Sequence, residues 1–240
     1  MRRIKVRLAY DGSTFHGWQV QPGLPTVQGI LEQIVSGIEG KPVHVAGSGR
    51  TDAGVHALGQ VAAFDLANPI PLLNLRRAVN RLLPPAIRVL SAEEADAGFE
   101  PRFGARSKTY EYRILREEVC SPFEWPYVHH YPYPLNVDAM TALARVFEGE
   151  HDFTAFAASD DRDAEGRTKV RTIFSSVLEP RPGRLVYRVR GSGFLKHMVR
   201  NLAGTLIEAG RGNISDLAGL PAKSGPTAPA KGLFLVEVEY

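Results

Sequence analysis

Residues 3–10 read Arg3-Ile4-Lys5-Val6-Arg7-Leu8-Ala9-Tyr10, and their pattern predicts the first element of the fold. Apolar side chains stand at every second position, which is typical of a half-buried β-strand. The other face of the predicted strand is basic, because Arg3, Lys5 and Arg7 lie between the apolar positions. The turn-forming stretch Asp11-Gly12-Ser13 then ends the strand.

Five further elements are predicted in the first half of the chain. Thr26 can cap a helix that carries Ile30, Ile34 and Ile38 at helical spacing. The remaining elements are a strand at 42–46, a strand at 60–65, a helix at 72–83 and a strand at 87–90. The order strand, helix, strand, strand, helix, strand is that of a ferredoxin-like α+β half.

The second half loosely repeats this design. Residues 91–107 are polar and are interpreted as the connection between predicted domains at 1–104 and 105–240. The elements predicted beyond it are a strand at 108–115, a helix at 136–147, a strand at 185–190, a helix at 195–209 that Gly210 ends, and a strand at 233–240. Residues 157–171 and 219–232 are predicted to be mobile. Either can be an RNA-contacting loop, but by default such stretches are solvated connections.

Composition excludes several classes of protein. The chain has 240 residues, 44% hydrophobic and 23% charged, as in a folded globular protein. No apolar stretch approaches the roughly 20 residues of a membrane helix, and the N-terminus lacks the apolar core of a secretory signal, so we expect a cytoplasmic protein. The single cysteine, Cys120, excludes an internal disulfide and a thiolate-based zinc site.

The basic residues are unevenly chosen. The net charge is only +3, but 22 arginines stand against 7 lysines. The planar arginine side chain matches phosphate and stacks on bases, so the excess suits a nucleic-acid partner. It suits a GC-rich genome equally well, and composition does not decide between these explanations.

The glycine-rich residues 47–59 are the strongest candidate site in the first half. Arg50, Asp52 and His56 lie among four glycines, which permit positive φ and the close approach of a ligand. The spacing fits neither the dinucleotide-binding fingerprint nor a phosphate-binding loop. Two interpretations stay open on local chemistry: a fixed catalytic carboxylate at Asp52, or a hairpin turn with a surface ion pair.

The stretch Ser48-Gly49-Arg50-Thr51-Asp52-Ala53-Gly54-Val55-His56-Ala57 resembles the catalytic signature of the TruA family of tRNA pseudouridine synthases. Further segments resemble the family in its own order along nearly the whole chain. They are residues 8–12 with 15–19, 27–32, 103 with 105–112, 151–156, 193–201 and 227–229.

The resemblance implies an α+β fold of two ferredoxin-like, RRM-like halves, whose mainly antiparallel strands form a central sheet around a cleft. It implies that Asp52 is the essential carboxylate, with Tyr110 and Arg200 beside it in the cleft. The reaction would isomerise uridines 38, 39 and 40 of the tRNA anticodon arm without cofactor or metal. A cytoplasmic homodimer that holds one tRNA across both subunits is also implied.

Each site residue has a structural alternative. Tyr110 can stack on a flipped uracil or fill the sheet core, and we assign the core role to Tyr112 instead. Arg200 lies about 200° around its helix from the apolar Met198, so it can leave the core. It can face solvent, as an arginine on a helix usually does, or form the ion pair with Asp52 that the resemblance implies, which we favour. Arg50 is expected to bind RNA or brace the loop, and a hydrogen-bonded structural role is favoured for His56.

Six basic residues are weaker candidates for phosphate contacts: Arg3, Lys5, Arg77, Arg106, Lys108 and Lys196. Two other functions remain as alternatives to the synthase. One is a non-catalytic RNA-binding or chaperone protein on the same scaffold. The other is an RNA nucleosidase that cleaves the glycosidic bond without rejoining the base.

Overall fold

The computed structural model describes residues 1–159, 166, 168–214 and 216–240. Part of the predicted connection at 157–171 therefore lies outside the described residues. The chain forms two compact units: unit 1 contains Met1–Arg106 and Leu235–Tyr240, and unit 2 contains Ser107–Phe234. Among the helices of the described residues, none has the length and apolar character needed to cross a membrane.

Unit 1 has the predicted order of elements. They are β1 (Arg2–Tyr10), α1 (Val27–Glu39), β2 (Ala46–Gly47), β3 (His56–Leu66), α2 (Leu72–Leu82) and β4 (Ile87–Ala95). β1 lies between β4 and β3 and is antiparallel to both, while β2 pairs antiparallel with β3. This arrangement confirms the α+β, ferredoxin-like prediction for the first half.

The alternation in β1 separates two environments. Ile4, Val6 and Leu8 are at most 3% exposed. A small apolar space between the sheet and the helices is lined by Val6 of β1, Leu31 of α1, Leu75 of α2 and neighbouring side chains. The helices therefore pack on this face of the sheet. The opposite, basic face of β1 forms ion pairs with the neighbouring strands.

Thr26 caps α1 as predicted, because its Oγ1 accepts a hydrogen bond from the Gly29 N–H at 3.3 Å. The buried stripe of α1 runs through Val27, Leu31 and Val35, whereas the predicted isoleucines are only half-buried. The helical period was therefore correct, but the most buried face lies one residue further round.

Two boundaries in unit 1 differ from the prediction. The strand predicted at 42–46 is only Ala46–Gly47. The connection predicted at 91–107 is wrong for its first residues, because β4 continues to Ala95 and pairs there with Arg3. Its exposed glutamates resemble a solvated connection, but Glu93 forms an ion pair with Lys5 of β1 at 2.9 Å.

Unit 2 contains a run of antiparallel strands and, among its described residues, the α-helices α3 and α4. Its elements are β5 (Ser107–Leu115), β6 (His129–His130), α3 (Val137–Val146), β7 (Gly149–Asp152), β8 (Val170–Arg181), β9 (Arg184–Gly191) and α4 (Met198–Gly210). The strand order is β5-β9-β8-β7, with β6 parallel to β5. The final strand, β10 (Leu233–Glu239), leads back into unit 1.

The structure confirms four predicted elements of the second half: β5, α3, β9 and β10. Met140, Leu143 and Phe147 share the buried face of α3, each with no exposed surface. The twelve-residue strand β8 was not predicted, and β7 and β6 were also missed.

α4 begins at Met198, three residues later than predicted, after His197 in the left-handed conformation. The prediction that Gly210 is the terminal glycine is wrong. Gly210 lies within the helix, where an added Cβ would approach the Met140 sulfur at 2.8 Å, and the left-handed glycine is Gly212. The predicted solvated connection at 219–232 is also wrong for residues 225–228, which pack on α4.

Two mid-helix glycines give opposite predictions for stability. An alanine Cβ at Gly204 of α4 would overlap the Pro226 carbonyl oxygen, while one at Gly37 of α1 would meet nothing within 4 Å. We expect Gly204→Ala to lower the free energy of unfolding by about 1–3 kcal/mol or more. Gly37→Ala should raise it by about 0.5–1 kcal/mol, because alanine favours the helix. Urea denaturation measures both, and equal effects would contradict the proposed packing role of Gly204.

Candidate active site

The Asp52 loop, residues 47–55, joins β2 to β3 and is held by a second loop of unit 1, residues 11–18. The Trp18 N–H donates to the Thr51 carbonyl at 3.0 Å, and the Gly54 N–H donates to the Phe15 carbonyl at 3.3 Å. These two bonds flank Asp52 on both sides. Backbone groups of residues 11–18 therefore fix the chain on both sides of the predicted carboxylate.

Three glycines allow the two loops to approach so closely. A Cβ on Gly12 would overlap the Val55 carbonyl oxygen, and one on Gly47 would lie 2.5 Å from the Trp18 indole. Gly17 has φ +88°, and its Cβ would lie 2.6 Å from the Thr51 carbonyl oxygen. Gly12 and Gly17 thus admit the backbone of the Asp52 loop, and Gly47 admits the Trp18 indole.

The side chains of the Asp52 loop divide by exposure. Ser48 is fully buried and Thr51 is 7% exposed. Asp52 is half-buried and Arg50 is exposed. A half-buried carboxylate on a fixed loop can meet a ligand while the main chain that carries it stays in place.

His56 has the structural role that was favoured for it. Its ring is 1% exposed, and Nδ1 accepts a hydrogen bond from the Gly12 N–H at 3.0 Å. The Asp11 carboxylate lies 3.2 Å from the same nitrogen. Nδ1 cannot accept from Gly12 and donate to Asp11 at once, and the bond from the Gly12 N–H requires an Nδ1 that carries no proton. His56 thus joins the Asp52 loop to residues 11–18.

Tyr110 and Arg200 belong to unit 2. Tyr110 of β5 is 8% exposed, and its ring meets the ring of Phe194 edge-on with centroids 5.1 Å apart. Arg200 of α4 is half-buried, and its Nε donates to the Ala228 carbonyl at 2.8 Å. The bond to Ala228 sets the direction of the guanidinium plane.

Tyr112 is a core residue, as predicted. It has no exposed surface, and its hydroxyl donates to the Pro229 carbonyl at 2.9 Å. Burial raises the pKa of the Tyr112 hydroxyl strongly, while the charge of Arg200 acts in the opposite direction. The hydroxyl is therefore a neutral donor that ties β5 to the segment after residue 228.

The six candidate phosphate contacts differ in environment. Arg3 donates to Asp65 at 3.1 Å, and Lys5 pairs with Glu93 while its ammonium lies over the Tyr240 ring at 4.8 Å. Arg77, Arg106 and Lys196 are exposed, and Lys108 is half-buried. The charges of Arg3 and Lys5 are thus already balanced within unit 1.

Sequence reasoning missed two buried polar residues below the Asp52 loop, Tyr10 and Gln60, which are 4% and 0% exposed. The only sequence signal was that Tyr10 ends the alternating strand beside Asp11-Gly12. Among the residues that the structure describes, no group of three or more His, Cys, Asp or Glu side chains is arranged to hold a metal ion.

Comparison with known proteins decides the family. Residues 8–104 and 143–240 match the sequence model of the family described as tRNA pseudouridine synthase. The chain belongs to the tRNA pseudouridine synthase family. The match includes the Asp52 loop in its first part, and Arg200 in its second.

Several similar proteins carry the name tRNA pseudouridine synthase A. The protein of Solibacter usitatus (strain Ellin6076) is 77% identical over 240 residues, which cover all of both chains. The protein of Lacticaseibacillus casei (strain BL23) is 44% identical over 250 residues and also covers all of both chains. The protein of Myxococcus xanthus is 43% identical over 248 residues, covering all of this chain and 92% of its own. The resemblance to the TruA family of synthases is confirmed.

Gly17 and Gly23 provide a matched test of the contact around Asp52. Both have positive φ, but an added Cβ would meet the Asp52 loop only at Gly17 and would meet nothing within 4 Å at Gly23. Alanine at either position should cost about 1–3 kcal/mol of backbone strain. We expect only Gly17→Ala to lower the initial rate of pseudouridine formation on tRNA, by about a hundredfold for a shift of about 1 Å. Equal rates in the two variants would contradict the contact.

Proposed function

We propose that this protein converts uridine to pseudouridine at positions 38, 39 and 40 of the tRNA anticodon arm, with Asp52 as the essential carboxylate. The observation that carries the proposal is the fixed Asp52 loop within a chain whose residues 8–104 match the synthase family. Asp52 combines partial exposure with a backbone held on both sides.

The chemistry fits a fixed carboxylate. The bond between the ribose anomeric carbon and N1 of uracil breaks, the base turns, and a bond forms from the same carbon to C5. The proton leaves C5 and N1 regains one, so the product has the atoms of the substrate and no co-substrate is consumed. Positive charge builds on the sugar as the first bond breaks, and a preorganised carboxylate stabilises it.

Tyr110, Arg200 and Arg50 are proposed to bind the substrate. The Tyr110 ring, braced edge-on by Phe194, suits stacking on an extruded base. The Arg200 guanidinium is oriented by its bond to the Ala228 carbonyl, which suits a directed polar contact. Arg50 is exposed two residues before Asp52, where it can contact the RNA backbone.

The proposed assembly is a homodimer in the cytoplasm that holds one tRNA against both subunits. The resemblance to the TruA family supports this assembly. Size-exclusion chromatography with light scattering, with and without tRNA, tests it, and a monomer bound to tRNA would contradict it.

The role of Asp52 is tested by Asp52→Asn with Asp96→Asn as the control. Asp96 is an exposed aspartate in the same unit, so its substitution removes a carboxylate without touching the Asp52 loop. We expect Asp52→Asn to abolish pseudouridine formation on unmodified tRNA, while Asp96→Asn stays at the wild-type rate. Product is mapped position by position along the tRNA.

The same assay separates the alternative functions. Wild-type protein that leaves abasic sites would indicate a nucleosidase, and binding without any product would indicate an RNA-binding protein. Equal product from Asp52→Asn and the wild type would remove Asp52 from the mechanism.

Salt dependence tests the phosphate contacts. The Lys5 charge is balanced by Glu93, whereas Arg77 is exposed on α2. We expect Arg77→Gln to reduce the slope of log affinity for tRNA against log salt by about 0.7–0.9, which corresponds to one phosphate contact. Lys5→Gln should change the slope less. Filter binding at several salt concentrations measures both slopes, and the reverse order would exclude Arg77 from the contact set.

A further inference from the structure

Buried polar groups lie between the Asp52 loop and the strands beneath it. Tyr10 is the last residue of β1, and Gln60 lies within β3. Neither residue belongs to the catalytic signature, and neither has a role in the chemistry described above. Tyr10 nevertheless bonds to Thr51, immediately before Asp52, and Gln60 bonds to Ser48 and Gly49 at the start of the Asp52 loop.

Gln60 holds the start of the loop with both ends of its amide. Its Oε1 accepts from the Ser48 hydroxyl at 2.6 Å and from the Val61 N–H at 3.1 Å. Its Nε2 donates to the Gly49 carbonyl at 3.0 Å. Gln60 is fully buried, and a buried amide that lost these partners would be costly, so the loop is held in one position here.

Tyr10 holds the residue next to the carboxylate. Its hydroxyl lies 2.8 Å from Thr51 Oγ1 in a hydrogen bond between two buried side chains. Burial raises the pKa of Tyr10 to about 12, although hydrogen bonds to Thr51 and Gln60 act in the opposite direction. The hydroxyl therefore stays protonated near neutral pH, and Tyr10 is a neutral fixed group and not a general base.

The strand register at this point is irregular. Leu8 of β1 pairs with Gln60 of β3, but Tyr10 pairs with Ala57, so β3 contains one extra residue between the two pairs. Such bulges re-aim side chains and are frequent beside active sites. The irregularity falls exactly where β1 ends and Tyr10 bonds to Thr51.

We propose that Tyr10 is a positioning residue for Asp52, acting through its hydrogen bond to Thr51, while Gln60 fixes Ser48 and Gly49. This inference rests on the proposed function, because it assigns Tyr10 a part in the reaction of Asp52. The hydroxyl of Tyr10 does not touch the substrate. Its effect is on the direction of the carboxylate, and a misplacement of about 1 Å can cost about a hundredfold in rate.

Tyr10→Phe removes the proposed contact and keeps the ring. Tyr187→Phe is its matched control, because Tyr187 is fully buried in unit 2 and its hydroxyl forms a similar bond with Ser176 Oγ at 2.9 Å. Both variants lose a bond between two buried hydroxyls, and Tyr10→Phe also loses the bond to Gln60. The melting temperature should therefore fall in both, and at least as far in Tyr10→Phe. We expect kcat on unmodified tRNA to fall by about tenfold to a hundredfold in Tyr10→Phe alone. KM should stay within about twofold of the wild type.

Variants at Thr51 test the same bond from the loop side. Thr51→Val should lower kcat as Tyr10→Phe does, and Thr51→Ser, which keeps the hydroxyl, should restore most of it. The double variant of Tyr10→Phe and Thr51→Val should be no slower than the slower single variant, because both substitutions remove the same bond between Tyr10 and Thr51. If Tyr10→Phe folds poorly, the comparison of Thr51→Val with Thr51→Ser still tests whether the bond affects kcat.

The outcomes separate the inference from the function on which it rests. Wild-type kcat in both Tyr10→Phe and Thr51→Val would overturn the positioning role. So would a decrease that Tyr187→Phe shares, because it would then reflect general stability. A wild type that forms no pseudouridine would overturn the proposed function itself, and the positioning role with it.

Discussion

The contact between the Trp18 N–H and the Thr51 carbonyl is the constraint on which the geometry around Asp52 depends. Two irregular segments can form such a backbone bond only where no side chain separates them. Gly17 meets this condition beside Thr51, and Gly47 meets it beside the Trp18 indole. Trp18 is itself 3% exposed, so the contact is formed within the core of unit 1. Asp52 keeps its position because its neighbours cannot move independently of that core.

The strand β1 links this contact to the sheet. Its apolar face packs on the helices, and its last residue on that face, Tyr10, reaches Thr51. The opposite face carries Arg3 and Lys5, whose acidic partners lie on β3 and β4. Exposed ion pairs of this kind contribute little stability, at most about 1 kcal/mol each. The apolar alternation, and not the charge pattern, therefore holds the strand that supports the loop.

Sequence alone predicted the features that depend on local periodicity or on a single side chain. The alternation of residues 3–10, the Thr26 cap and the apolar face of α3 are of this kind. β8 was missed because residues such as Arg171, Thr172 and Ser175 interrupt its apolar pattern, although it pairs along β9. Its β-structure follows from a partner strand that local sequence does not contain.

Contacts between side chains that are distant in sequence could not be predicted from the sequence either. Gln60 lies in a predicted strand, but its role depends on Ser48 and Gly49, which are twelve and eleven residues earlier in the chain and lie beside it in the fold. The choice between Gly210 and Gly212 as terminal glycine required the backbone angles. The glycine-rich loop itself was consistent with a catalytic carboxylate or a salt-bridged turn. The family resemblance favoured the first, and the backbone contacts explain how the loop can be rigid.

Unit 2 fixes its own candidate residue by a similar device. A carbonyl oxygen at Pro226 lies against Gly204 of α4, where any Cβ would overlap it. Two residues later, the Ala228 N–H donates to the Arg200 carbonyl at 3.2 Å, and the Ala228 carbonyl accepts from Arg200 Nε at 2.8 Å. Ala228 therefore forms hydrogen bonds with both the backbone and the side chain of Arg200. In each unit a glycine without a side chain allows a neighbouring backbone to approach, and that backbone then fixes a candidate site residue. Gly17 and Gly204 thus support the two candidate residues, although neither glycine carries a functional group.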